Sequence, residues 1–137
     1  MTKHRLTHLQ PAPERMCPAG LNDAARSEFL RVARLLAAAG HLRPEYIDAL
    51  TEYALVTVRL REIRAALVVH GEVFEVEGRY GRQVKLHPLT REMNECTRQW
   101  RSLAVELGLT PRSAQRLPDV GYVADPDDAA NEFYTVV

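Results

Sequence analysis

The sequence predicts a mainly α-helical fold: a helical hairpin followed by a third long helix, with one β-hairpin inserted before that third helix. Apolar residues recur at helical spacing in three long stretches, each bounded by glycine or proline. Between the second and third stretches, around Gly78 and Gly81, apolar residues instead recur at every second position. The second stretch carries apolar residues on two faces, which predicts that the chain assembles into an oligomer.

The first helix is predicted to begin after Asn22 and to end at Gly40. The Asn22 side chain can accept hydrogen bonds from the first free backbone amides, and Asp23 suits the positive end of the helix dipole. Glycine readily adopts the left-handed conformation that follows many helices, which is the role predicted for Gly40. The apolar face of this helix comprises Phe29, Val32, Ala33, Leu36 and Ala39.

The second helix is predicted to begin at Pro44, where a missing amide costs nothing, and to run to about Val69, before Gly71. A helix with two apolar faces is either the buried centre of a domain or a helix that also packs against another subunit. We favour the second interpretation, because the chain has few other elements that could cover both faces. The predicted oligomer interface is Tyr46, Tyr53, Val56, Leu60, Ile63 and Leu67.

A β-hairpin is predicted over about residues 72–87, because apolar residues alternate on both sides of a glycine-containing turn. An isolated hairpin is only marginally stable in water, so helices or neighbouring hairpins should lie beneath it. Its basic residues are Arg79, Arg82 and Lys85.

The third helix is predicted to begin at Pro88 and to end at Gly108, after which Thr110 caps a short helix with Pro111 in its first position. The segment LAVELGLTPRSAQRL has the appearance of a helix-turn-helix unit, in which Ser113, Gln115 and Arg116 would meet bases or phosphates. A helix corner is the favoured interpretation, because the preceding helix is too long and the following one is cut short by Pro118. In a corner, three side chains fold back on the core: Leu109, Ala114 and Leu117.

Charge divides the chain into three parts, although its formal net charge is zero. Residues 1–20 are predicted to be a flexible basic arm, rich in proline, with a net charge of +2 over residues 1–16. Residues 21–118 are predicted to form the helical oligomerisation and DNA-binding core. Residues 119–137 carry five acidic residues and no basic ones, which predicts an acidic flexible tail. The tail ends in an apolar cluster: Phe133, Tyr134, Val136 and Val137.

No pattern in the sequence indicates catalysis, and we do not expect an enzyme. The five histidines are scattered, and no set of residues has the spacing of a zinc site. Neither phosphate-loop consensus, GxxxxGK(S/T) or GxGxxG, occurs in the sequence. The two glycines of EGRYG are explained by a hairpin turn. Cys17 and Cys96 are expected to be free thiols. We therefore expect no metal and no cofactor, and, because no apolar run approaches ~18 residues, no membrane partner.

Three motifs follow one another over roughly residues 20–117. The first joins two helices through LLAAAGHLRPEYIDAL, the second leads from the hairpin through VKLHPLTR into a helix, and the third is the closing LGLTPRSAQRL. In this order the motifs resemble those of the P27 family of phage terminase small subunits. One departure is LRPEYIDAL, where that family more often has a threonine-type cap before an acidic residue; Pro44 and Glu45 fill the same structural role.

The resemblance implies the small subunit of a viral genome-packaging motor. Such subunits assemble into rings, here expected to contain about eight to ten copies. They bind double-stranded viral DNA at a packaging site and deliver it to the large subunit, which carries the ATPase and nuclease activities. The resemblance also implies a role in the cytoplasm of the bacterial host.

Three basic groups are candidates for contact with DNA phosphates, in the arm, the hairpin and the closing corner, and such contacts weaken steeply with salt. Arg59, Arg61 and Arg64 are instead expected to form ion pairs between subunits or with Glu52 and Glu62. The predicted DNA-binding residues are Lys3, Arg5, Arg79, Arg82, Lys85, Arg112 and Arg116.

The apolar end of the tail, residues 133–137, is expected to dock on the large subunit or to fold back on the ring. Two other functions stay open at this point. One is a transcription regulator that reads DNA with residues 106–117 and dimerises through its long helix. The other is a structural adaptor ring that does not bind nucleic acid.

Overall fold

Three long helices dominate the computed structural model, which describes residues 9–116 and 123–124. A β-hairpin joins the second of these helices to the third, as the sequence predicts. In chain order the elements are β1 (Leu9–Gln10), α1 (Pro13–Met16), α2 (Asp23–Ala38), a 3-10 turn (Pro44–Tyr46), α3 (Ile47–His70), β2 (Val73–Gly78), β3 (Gly81–Leu86), α4 (Pro88–Glu106), α5 (Pro111–Ala114) and β4 (Val123–Ala124).

Helix α2 begins and ends at the predicted capping residues. The Asn22 Oδ1 atom accepts a hydrogen bond of 2.8 Å from the Ala25 amide. At the other end Gly40 has a φ of 74°, and the His41 amide donates to the Leu36 carbonyl at 2.8 Å, which closes the helix in a Schellman motif. Both predicted ends of this helix are confirmed.

Helix α3 lies in the middle of the molecule and packs against both α2 and α4 of the same chain. Four residues of the predicted oligomer interface, Tyr53, Leu60, Ile63 and Leu67, are therefore only 1–6% exposed within a single chain. The prediction of an intersubunit face is wrong for these four, because α4 lies along the face that we expected to be open. Tyr46 and Val56 are half-buried.

The main core forms where α2, α3 and the end of α4 meet. Its largest fully buried side chains include Phe29 of α2, Leu50 of α3 and Leu107 after α4. Each such side chain stabilises the fold by about 2 kcal/mol through removal of apolar surface from water.

The end of α4 is a capped corner. Gly108 has a φ of 70°, and the Leu109 amide donates to the Ala104 carbonyl at 2.9 Å. The next helix, α5, has four residues and begins with a capping box between Thr110 and Ser113. A single turn of helix is too short to serve as a recognition helix, and Ser113 is buried. The corner interpretation is the one that the structure supports.

The β-hairpin stands away from the helices. Its strands pair antiparallel from Val73 opposite Leu86 to Gly78 opposite Gly81. Every residue of β3 is exposed, and in β2 only Val76 is half-buried. The expectation that helices or neighbouring hairpins lie beneath the hairpin is thus not met within one chain.

Residues 9–20 are part of the folded body, which corrects that portion of the predicted flexible arm. Ala12, Pro13 and Met16 are buried against the neighbouring helix α2. The Gln10 side chain donates to the Ala37 carbonyl at 2.9 Å. Strand β1 also pairs in parallel with β4, which belongs to the predicted acidic tail. The remaining predicted arm and tail residues lie outside the described residues, among them Lys3, Arg5, Phe133, Tyr134, Val136 and Val137.

Candidate nucleic-acid interface

Helices α3 and α4 run antiparallel, which gives the molecule two ends. Trp100 of α4 lies beside Thr57 of α3, and Glu92 lies beside Arg59 further along. We call the end with β2 and β3 the hairpin end. The opposite end, with the start of α3, the end of α4 and α5, is the corner end. The two ends are about 36 Å apart, since α3 has 24 residues and a helix rises ~1.5 Å per residue.

The predicted DNA-binding residues are divided between these ends. Arg112 and Arg116 lie at the corner end, and Arg79, Arg82 and Lys85 lie at the hairpin end. Because α3 separates the two groups, one subunit does not bring them together into a single patch.

The closing segment of the corner end is basic. Residues 107–116 contain Arg112 and Arg116 and no acidic residue. Both arginines are exposed, and neither forms an ion pair within the part of the chain that the structure describes. Gln10 of β1 also lies at this end, because its side chain donates to the Ala37 carbonyl in the last turn of α2.

A cavity of about 350 Å³ opens beside α5 at the corner end. Its walls are mostly apolar, and the exposed Arg101 adds a further cation at its edge. The cavity is lined by Tyr53, Trp100, Arg101, Ala104, Val105, Leu109 and Thr110.

The hairpin end is electrically balanced rather than basic. Residues 72–87 contain Glu72, Glu75 and Glu77 as well as the three predicted cations. Arg82 is already engaged with Glu75 across the strands, at 3.6 Å. The predicted DNA-binding cluster comprised the cations of this segment alone, but the paired strands place acids beside them.

Arg59 and Arg61 of α3 form ion pairs with acidic residues of the same chain. Arg59 contacts Glu92 at 2.7 Å and Glu62 at 3.5 Å, and Arg61 contacts Glu28 of α2 at 3.0 Å. The expected pair with Glu62 is therefore present, but the principal partners are acids of α2 and α4 that we did not predict. These contacts lie within one chain, which corrects the expectation of pairs between subunits for Arg59 and Arg61.

Glu28 is the most buried carboxylate of this network, with its side chain 3% exposed. Burial alone would raise its pKa, but the hydrogen bond and charge of Arg31 and the charge of Arg61 outweigh burial and hold the pKa below its ordinary value. The carboxylate is thus ionised at neutral pH and joins α2 to α3.

The two histidines at the base of the hairpin were not expected to meet. His70 and His87 stack with their ring centres 6.0 Å apart, and Phe74 approaches His87 edge-on at 6.2 Å. Within the described ranges, no group of three or more His, Cys, Asp or Glu side chains could hold a metal ion. In residues 9–116, no helix is long and apolar enough to cross a membrane.

Comparison with known proteins identifies the class to which this arrangement belongs. The family model described as phage terminase, small subunit, matches residues 25–121, from α2 through the closing corner. The chain therefore belongs to the phage terminase small subunit family. The match is to that family as a whole, and the finer P27 grouping stays a prediction. No similar curated protein and no similar solved structure was found.

Proposed function

We propose that this protein binds double-stranded viral DNA as a ring-shaped homo-oligomer and delivers it to the terminase large subunit in the cytoplasm of the infected host. The observation that carries the proposal is the family match over residues 25–121. Small subunits of this family are generally non-catalytic DNA-binding subunits. A ring of about eight to ten copies would repeat each cation around an axis and multiply a modest charge per subunit.

The corner end is the surface proposed to meet DNA. Arg112 and Arg116 are exposed and form no ion pair within residues 9–116, and the segment 107–116 contains no acid. Lys3 and Arg5, which precede the strand at this same end, are proposed to extend the contact. A one-turn helix that contains Arg112 and is followed by Arg116 suits phosphate contacts, which position a protein on DNA, better than it suits base recognition.

The test is to measure binding of labelled duplex DNA at several salt concentrations. Arg112→Ala combined with Arg116→Ala should weaken binding at least about tenfold and flatten its dependence on salt. The matched control is Arg64→Ala with Arg91→Ala, which removes the same charge from exposed positions on α3 and α4. Equal DNA binding by the two double variants would contradict the assignment of DNA contact to the corner end. If the single variant Arg79→Ala lost binding while both double variants kept it, the DNA contact would be assigned to the hairpin end.

The acidic tail is proposed to dock on the large subunit through Phe133, Tyr134, Val136 and Val137. A five-residue truncation that removes residues 133–137 should abolish co-purification with the large subunit and leave the oligomeric mass per subunit unchanged. Retained co-purification would remove this part of the proposal. A wild-type chain that is monomeric by native mass spectrometry would remove the ring.

A further inference from the structure

The cavity beside α5 combines an apolar wall with a single cation. Among its lining residues Arg101 is the only charged one, and no acid lines it. Tyr53 and Trp100 form an aromatic wall, with their rings stacked and the ring centres 5.9 Å apart. The volume of about 350 Å³ lies within the ~300–1,000 Å³ of sites that enclose small organic groups. The chemistry of the cavity therefore suits an aromatic side chain with a negative charge beside it.

Two residues at the edge of the cavity are left uncovered by the described part of the chain. Val105 is 53% exposed, although an apolar side chain is stabilised when it leaves water. Arg101 is also exposed, and it forms no ion pair with any described residue. Because the two residues are four apart on α4, they lie on the same side of the helix, and one ligand can cover both.

The end of the chain has the complementary composition. Residues 119–137 carry five acidic residues and no basic one, and Glu132 is followed directly by Phe133 and Tyr134. An acid followed by two aromatic residues matches an aromatic wall with a cation at its edge. The opposite end of the chain does not, since residues 1–8 contain no acid and no Phe, Tyr or Trp.

The tail is also long enough to reach the cavity of its own chain. Strand β4 pairs with β1, and Gln10 of β1 is bonded to the last turn of α2 at the corner end, where the cavity lies. Phe133 follows Ala124 of β4 by nine residues. At about 3.3 Å per residue an extended stretch of this length spans about 30 Å. Three packed helices with axes ~8–10 Å apart span less than that.

We propose that the cavity beside α5 binds the C-terminal segment of the same chain, residues 132–137. The rings of Phe133 and Tyr134 enter the cavity against its aromatic wall. The Glu132 carboxylate pairs with Arg101 at the edge. The occupant of the cavity is thus a part of this protein rather than a small molecule.

This site goes beyond the proposed function, and only its consequence rests on that proposal. The cavity and the large subunit bind the same apolar residues, 133–137, and therefore compete for them. In the free small subunit the cavity covers these residues, and docking on the large subunit withdraws them. Arg101 is then uncovered at the end of the molecule that is proposed to meet DNA.

The first experiment maps the contact in the full-length protein. The variant Tyr134→p-benzoylphenylalanine carries an aromatic side chain that cross-links to its neighbours under ultraviolet light, and mass spectrometry of the digest identifies them. We expect attachment within residues 100–110, in protein that keeps the mass of one subunit on a denaturing gel. Attachment only elsewhere in the chain, only to a second subunit, or nowhere would overturn the inference.

Hydrogen exchange tests the ion pair without altering an aromatic residue. The amides of residues 132–137 should exchange about twofold to fivefold faster in Arg101→Glu than in the wild type, the range expected for an exposed ion pair. Arg101→Glu with Glu132→Arg should recover the wild-type rate, because the two charges are exchanged. The control is Arg91→Glu, which makes the same change of charge at another exposed position of α4 and should leave the rate unchanged.

Wild-type exchange in Arg101→Glu, or no recovery in the charge-exchanged variant, would overturn the inference. The failure of the proposed function is distinct. If the large subunit co-purifies with a chain that lacks residues 133–137, the proposed docking fails, while the cross-link still assigns the cavity to the C-terminal segment.

Discussion

The Trp100 indole nitrogen donates a hydrogen bond of 3.1 Å to the Thr57 hydroxyl, which in turn donates to the Tyr53 carbonyl at 2.7 Å. The indole also stacks on the Tyr53 ring, with the ring centres 5.9 Å apart. This chain of contacts is polar, largely buried and shared between α3 and α4. It fixes how the two helices sit along one another, and therefore where the hairpin end and the corner end lie.

Thr57→Val removes the acceptor and leaves the Trp100 N–H without its partner. We expect the free energy of unfolding to fall by about 1 kcal/mol, the lower end of the cost of an unsatisfied donor, because Trp100 is only half-buried. The measurement is urea unfolding followed by circular dichroism. Thr51→Val is the matched control on the same helix, because its hydroxyl donates only to the Ile47 carbonyl. An equal loss in the two variants would show that the indole contact contributes nothing.

Glu28→Gln should destabilise the protein at neutral pH and change its response to acid. The folded-state pKa of Glu28 lies below the ordinary value of 4.5, so the ionised carboxylate contributes stability above that value. This contribution is lost as the pH falls through the folded-state pKa. We expect a cost of about 1–2 kcal/mol at neutral pH, reduced by solvent screening because both arginine partners are more than half exposed.

The free energy of unfolding of Glu28→Gln should also fall less steeply with acid than that of the wild type. The control is Glu62→Gln, in which a 60% exposed carboxylate loses a 3.5 Å contact with Arg59. The control should match the wild type at neutral pH to within about 0.5 kcal/mol. Parallel pH profiles for Glu28→Gln and wild type would rule out this role for Glu28.

Gly40→Ala isolates the effect of backbone conformation at the end of α2. Gly40 has a φ of 74°, and a Cβ atom added there would meet nothing within 4 Å. We expect a loss of about 1 kcal/mol, the cost of placing an L-residue in the left-handed region. Gly20→Ala has equally open space and no positive φ, so its melting temperature should stay at or above that of the wild type. Equal melting temperatures for Gly40→Ala and Gly20→Ala would contradict the prediction.

Met16→Ala tests the finding that residues 9–20 are folded. Met16 is 6% exposed and packs in the main core, so truncation should cost about 2–3 kcal/mol. It should also speed hydrogen exchange in α1. Arg15→Ala, at the exposed neighbouring position, should leave both measurements unchanged. If Met16→Ala were as stable as the wild type, residues 9–20 would not be packed in the core. The flexible arm predicted from the prolines would then be the better interpretation.

Local signals predicted the helices and the hairpin well. Asn22, Gly40, Gly71 and Gly108 end or begin helices through short-range hydrogen bonds and positive φ values, which a sequence expresses directly. The change of period around residues 72–87 located the hairpin for the same reason. The closing corner was predicted because Thr110 and its neighbours form a cap that needs no distant partner.

Contacts between distant segments were not predictable in the same way. The sequence showed that α3 has two apolar faces, but periodicity does not say which partner covers a face, and α4 covers the one assigned to another subunit. Glu28 reads as an ordinary solvated residue until α3 brings Arg61 beside it. The contact between the acids and the cations of the hairpin emerges only once the register places Glu77 opposite Arg82.

Trp100 is the single tryptophan of the chain. It is half-buried between α3 and α4, stacks on Tyr53 and lines the cavity beside α5. Intrinsic tryptophan emission therefore reports on one place alone, the junction of the two helices near the corner end. The wavelength of that emission distinguishes an event that reaches this junction from one confined to the hairpin, without any label.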